Sequence, residues 1–292
     1  MTLNLKNQPD LCILITNYNT ADFVEVSLMA IHQLTSRKFK VLINDNGSTA
    51  DHLKKLKTLE QRYDFIKVFY NKSRQKGAPA HAEALDFLID KADRRYTVIL
   101  DSDCTPLLKG WDEYLIAQLN EQVKIIGSPV LCKGAAARPT DFPSPFLILF
   151  ETAILKALHV PSTPGDLSKG EDTCWQWRPA YLKANLLGAV CHAENTRFFK
   201  ESVFKNVLCA EYYTQDGRLL ASHFSRGSTS GEAKYASLFF KIPIVGKRLR
   251  RRKGEQEKQI WLKQCLSIIK SQATQPLPAH NRRPLESHAS LK

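Results

Sequence analysis

Thr97-Val98-Ile99-Leu100-Asp101-Ser102-Asp103 is the stretch on which the reading of this chain turns: four apolar or β-branched residues, then two carboxylates one residue apart. So short an apolar run reads as a strand buried on both faces, as in a parallel sheet. Upstream, the same pattern repeats. Residues 11–16 are a second apolar run, ending in Asn17-Tyr18-Asn19, and residues 22–34 place Phe23, Val26, Ile31 and Leu34 at near-helical spacing. Residues 39–43 then predict a strand running into Asn44-Asp45-Asn46-Gly47-Ser48. Leu53, Leu56 and Leu59 predict a helix, residues 66–70 a strand and residues 80–91 a helix. The order βαβαβαβ predicts an α/β fold with a mostly parallel sheet flanked by helices. Ligands of such sheets bind beyond the carboxyl ends of the strands. Three of these strands end in polar chemistry.

Downstream the pattern loosens. Residues 125–130 predict a strand, 146–158 a helix, and 161–169 a flexible loop leading to Gly170-Glu171-Asp172. Residues 181–233 mix short strands and loops, and residues 255–271 predict a helix presenting Ile260, Leu262, Leu266 and Ile269. The last 20 residues, rich in Pro, Ser, His and Arg, have the composition of a disordered tail.

The chain has 292 residues, 43% hydrophobic and 24% charged, with a net charge of +13. At about 100–200 residues per domain, it can bury a sizeable core in one large domain or two small ones. The charge is lopsided: residues 234–292 hold 14 basic and 3 acidic side chains, which leaves the first 233 residues at +2. Nucleic-acid binding by the body is disfavoured, because it needs a basic face on the folded domain. The cysteines (Cys12, Cys104, Cys132, Cys174, Cys191, Cys209 and Cys265) contain no CxxC pair, which argues against a zinc knuckle or a disulfide framework. A reducing cytoplasm fits best. No run approaches the roughly 20 apolar residues of a membrane span, so any membrane contact is peripheral.

Asp101 and Asp103 at a strand end would repel each other unless a cation joins them, and a divalent metal carrying a diphosphate is a natural partner. Acidic pairs also serve as solvated turns and helix caps, so the pair alone does not name a function. Four segments together do. Residues 14–19 (LITNYN), 41–49 (VLINDNGST), 98–103 (VILDSD) and 170–172 (GED) resemble, in order and spacing, the family 2 glycosyltransferases with the GT-A fold. The resemblance covers about residues 10–230, and it departs from the family at Asn44, where an Asp is common.

The resemblance implies a metal-dependent, inverting transfer of a sugar from a nucleotide-diphosphate sugar, a UDP-sugar being favoured, to a hydroxyl of a glycan or glycolipid. In it, Thr16 and Tyr18 line the nucleotide base, Tyr18 by stacking, and Asp45 accepts a hydrogen bond from the base; read without the family, Thr16 and Tyr18 cap or pack the next helix, and Asp45 is a turn former. Asp103 binds Mn²⁺ or Mg²⁺ directly, Asp101 contacts the ribose or the metal, and Ser102 belongs to the same donor site. Asp172 is the implied catalytic base, with Glu171 able to exchange roles, and the pair is expected to start a helix. His223, in Ser222-His223-Phe224-Ser225-Arg226-Gly227-Ser228, is the implied additional metal ligand, and Arg226 meets the diphosphate. Arg74 and Lys76 lie between the base and metal motifs, where a solvated loop explains them as well. His81 begins a helix and reads either as a capping or core histidine, the better fit, or as a residue approaching the donor; Trp175 and Trp177 read as sugar-stacking or core rings, and His159 and His192 lack such context.

The resemblance divides the chain into a catalytic domain over residues 1–233, with a nucleotide-binding half at about 10–105 and an acceptor half at about 106–233. A basic and apolar C-terminal extension follows over 234–271, then a disordered tail over 272–292. The apolar residues 238–245 beside the polybasic 247–253 fit docking on an anionic membrane surface, and equally a solvated tail. A different class of reading is a non-catalytic nucleic-acid or membrane-binding protein that acts through this basic region.

Overall fold

The computed structural model describes residues 10–131, 139–199, 201–235 and 243–276. Its centre is β1 (Leu11–Asn17), a strand buried along its whole length except for a partly exposed Thr16. On one side β1 pairs in parallel with β2 (Phe39–Asn46), and on the other with β4 (Tyr96–Asp101). β3 (Ile66–Asn71) adds in parallel to β2. The register sets Thr16 beside both Asn44 and Asp101, and Asn17 beside Asp45. Three polar strand ends therefore share one edge, as the sequence pattern predicts.

Alternation along β1 feeds two cores, because successive side chains of a strand point to opposite faces. Leu11, Ile13 and Ile15 pack with α1 (Ala21–Leu34), α2 (Ala50–Arg62) and α4 (Trp111–Ala117). Cys12 and Leu14 pack with α3 (Ala78–Lys91), α5 (Thr152–Leu158) and α6 (Trp177–Lys183), where Trp177 is fully buried. The expected α/β architecture, a mostly parallel sheet covered on both faces, is present.

The seven-stranded sheet runs β3-β2-β1-β4-β7-β6-β8, with β6 at Val123–Gly127, β7 at Leu147–Glu151 and β8 at Leu187–Val190. β7 corrects the expected helix over 146–158. It is an antiparallel strand between β4 and β6, and only Thr152–Leu158 is helical. Leu147, Ile148, Leu149 and Phe150 are all buried, and a run apolar on every side has no period that separates strand from helix. The strand expected at 125–130 ends at Gly127.

A second, antiparallel sheet runs β5-β11-β10-β9: β5 (Cys104–Pro106), β11 (Leu219–His223), β10 (Ala210–Tyr213) and β9 (His192–Asn195). It carries His223 to the register position opposite Cys104.

The C-terminal helix is longer than the sequence suggests. α7 spans Pro243–Ala273, because the Lys- and Arg-rich residues 247–253 are themselves good helix formers. It docks through Trp261, Cys265 and Ile269, all buried, while Ile260 stands exposed. The Trp261 indole lies against Phe23 and Phe224 at 5.6 and 5.8 Å, and donates a 2.9 Å hydrogen bond to Ser222 Oγ. Residues 236–242, which hold most of the apolar segment expected at 238–245, and the tail from 277 onward lie outside the described residues, as does Cys132. The other six cysteines are buried and free. No helix among the described residues is long and apolar enough to cross a membrane.

Candidate metal and nucleotide-sugar site

A cleft of about 1070 Å³ opens over the carboxyl ends of β1, β2 and β4. Its floor holds Asp101, Asp103 and His223. One ligand atom from each lies within 4.8 Å of the others. His223 Nε2 stands 3.2 Å from Asp103 Oδ1 and 3.6 Å from Asp101 Oδ2. Ligand atoms this close are within reach of one divalent cation, which the three residues would hold between them. Two carboxylates and an imidazole suit Mn²⁺ or Mg²⁺.

The backbone holds this trio in place. Asp103 accepts 2.8 Å from the Gly227 N–H at Oδ2 and 2.9 Å from the Phe224 N–H at its carbonyl. Gly227 is needed for that approach, since a Cβ there would lie 2.7 Å from the Asp103 Cβ. The Phe146 ring covers the His223 imidazole at a centroid distance of 4.6 Å.

Burial and mutual charge shift all three groups. Burial, then the charge of Asp103, lifts the Asp101 carboxyl to about 7, with His223 acting against them. Burial would also raise Asp103, but His223 and the Gly227 N–H outweigh it and hold it low. Burial would lower His223, yet the two carboxylates keep it above its ordinary value.

His81, near the start of α3, lines the cleft, in keeping with the second of its two sequence readings. Its Nε2 lies 3.8 Å from Asp101 Oδ1, on the other side of the carboxylate from His223, and has no hydrogen-bond partner. Burial pushes its pKa below the ordinary value, against the weaker pull of Asp172 and Asp103. Ala80-His81-Ala82 does not itself single out Asp101 as the neighbour, because only the fold brings α3 over the end of β4.

Thr16, Tyr18, Ser102, Asp172 and Arg226 all line the cleft, Tyr18 with half its surface exposed. The Ser102 hydroxyl accepts 2.8 Å from Thr20 Oγ1, which ties β4 to the start of α1. Lys76 reaches the wall; Arg74 is not part of it.

Two expected site residues are turned elsewhere. Asp45 is buried and fully engaged: Asn17 Nδ2 and Ser48 Oγ donate to Oδ2 at 2.7 and 2.6 Å, and the Gly47 and Ser48 N–H groups donate to Oδ1. It staples the β2 turn, and its neighbours Asn46 and Gly47 form the wall. Glu171 accepts 2.7 Å from the Asp166 N–H and closes its own loop. Nor does the Glu-Asp pair start a helix, since α6 begins at Trp177. Trp175 lines the cleft near Arg178, which makes a two-pronged ion pair to Asp141 at 2.9 and 2.7 Å.

Comparison with known proteins places the first half of the chain in a family. A family model described as Glycosyl transferase family 2 matches residues 12–160. Among solved structures, a mannosyltransferase from Pyrobaculum calidifontis in complex with GDP-Man and Mn²⁺ is 15% identical over 94% of this chain and 78% of that one, with a TM-score of 0.49. Glucosyl-3-phosphoglycerate synthase from Mycobacterium tuberculosis, in complex with phosphoglyceric acid, is 16% identical over 63% and 70%, with a TM-score of 0.47. TarS from S. aureus in complex with UDP is 15% identical over 62% and 56%, with a TM-score of 0.44. A search of curated protein sequences finds no significant match.

Proposed function

The chain belongs to glycosyl transferase family 2, and from that premise we propose that it transfers a sugar, with inversion, from a UDP-sugar or similar nucleotide-sugar to a hydroxyl of a glycan or glycolipid. The observation that carries the metal dependence is the convergence of Asp101, Asp103 and His223 from β4, the β4–β5 link and β11 on the cleft floor. A divalent cation held there would neutralise the negative charge that grows on the leaving nucleoside diphosphate.

The chain's own groups do the rest. Tyr18 and Thr16 hold the base at the end of β1, and Ser102 fixes the carboxylate turn. Arg226, exposed on the rim, meets the diphosphate. Asp172 takes the proton of the acceptor hydroxyl as that oxygen attacks the anomeric carbon from the face opposite the diphosphate, which inverts the centre. Trp175 offers a ring to the acceptor sugar. Asp45 acts by holding Asn17 and the 46–48 turn, so we assign it a positioning role.

The test is a thermal-shift screen of UDP, GDP, dTDP and CDP with and without Mn²⁺. A ligand at 100 times its dissociation constant adds about 2.7 kcal/mol to stability, a readable shift. One nucleotide is expected to give a metal-dependent shift that Asp103→Ala abolishes; no shift with any nucleotide would overturn the donor assignment. Asp172→Asn is expected to keep that shift and to lose transfer by about 100-fold or more. Retained turnover would place the base elsewhere.

A further inference from the structure

Lys247, Arg248, Arg251 and Arg252 of α7 stand at positions i, i+1, i+4 and i+5, and all four are exposed. At 3.6 residues per turn they fall within an arc of about 140°, one stripe along two turns of helix. The other cations of the run are used on the body: Arg250 faces Glu232 at 4.0 Å, and Lys253 lies over the Tyr235 ring at 4.5 Å. None of the four stripe residues has an ion-pair partner among the described residues. Beside them Leu249 is 42% exposed, an apolar side chain turned to water. The helix is anchored one heptad beyond Lys247, where Gly254 packs on the backbone of Ser230 and Glu232 so closely that a Cβ would lie 2.5 Å from the Ser230 carbonyl oxygen.

We propose that this stripe docks the protein on an anionic lipid bilayer surface. Four like charges held on one face of a rigid helix repel each other and gain by lying against a surface of opposite sign. Leu249, about 60° further round the helix than Arg252, offers an apolar foothold at the stripe's edge for the headgroup boundary. A polynucleotide would need the basic surface to continue onto the body, and the first 233 residues carry only +2. The proposal does not depend on the transfer reaction.

The experiment is co-sedimentation of the full chain with vesicles of phosphatidylcholine alone, or of phosphatidylcholine with about 30 mol % phosphatidylglycerol. Binding is expected to the anionic vesicles only, and to weaken as salt is raised. Combining Lys247→Gln, Arg248→Gln, Arg251→Gln and Arg252→Gln is expected to weaken it at least about tenfold. A control removes the same charge from exposed lysines elsewhere, by Lys54→Gln, Lys57→Gln, Lys67→Gln and Lys183→Gln, and is expected to bind within about twofold of the parent. Equal binding to neutral vesicles, no binding to either, an equal loss in the control, or displacement from vesicles by a polynucleotide of matched charge would each overturn the proposal. Should the stripe variant lose its cooperative melt, the parent's anionic-versus-neutral comparison and its salt dependence decide alone.

Discussion

Gly227 shows how narrow the tolerances of the site are. Its N–H donates to Asp103 while its missing side chain makes room for the same residue. In Gly227→Ala the added methyl must displace the Asp103 carboxylate or the 226–228 backbone. The expected outcome is a nucleotide thermal shift that no longer responds to Mn²⁺, with a melting temperature within a few degrees of the parent, read in the same screen. Much at this scale was legible beforehand. Asp101, Asp103 and His223 stand together as the family resemblance implies, and Thr16, Tyr18, Asp172 and Arg226 reach the cleft. Asp45 and Glu171 face away from the cleft because other donors claim them, and for Asp45 the following Gly47-Ser48 turn already signals it. Asp45 is claimed by Asn17, from another strand, and Glu171 by its own loop.

Among the elements, α7 most changes the picture drawn from sequence. Its Trp261 is fully buried between Phe23 and Phe224 and hydrogen-bonded to Ser222, the residue before His223. Trp261→Ala is expected to cost about 3–5 kcal/mol, and Trp261→Phe, which keeps most of the packing but strands the Ser222 contact, about 1–2 kcal/mol. Urea denaturation followed by circular dichroism measures both. The periodic elements of the first hundred residues were legible because each carries a clear pattern and a polar terminator. β7 was not, since a fully buried strand and the first turns of a buried helix look alike until their partners are known. α7 was read only in part: its basic half has the propensity of a helix but no apolar face to announce one.

Across the whole molecule, charge ties the two ends of the chain together. Asp22 at the start of α1 accepts hydrogen bonds from Lys55 of α2 and Lys258 of α7, at 2.6 and 2.7 Å. Burial alone would raise its carboxyl, but the two ammonium groups outweigh that and hold it at about 2. A carboxyl held below its unfolded value of about 3.9 gives stability that is complete above that value and is lost as pH falls towards 2. Asp22→Asn is therefore expected to lower stability near pH 6, with the difference from the parent shrinking between about pH 4 and pH 2. Chemical denaturation across that range checks it, and a constant difference would show that the carboxylate's charge is not involved.

The distance along the chain between Asp103 and His223 sets a timetable for synthesis. During vectorial synthesis the ribosome releases the βαβ half long before β11 exists, so the nascent polypeptide owns two carboxylates and no imidazole to complete the trio. Even then β11 waits for its last support, the Trp261 indole on Ser222. A polypeptide arrested anywhere before that tryptophan emerges carries Asp101 and Asp103 without the fully supported strand that brings His223 to them. The gathering of these three side chains thus comes late in synthesis, after more than two hundred residues have been made.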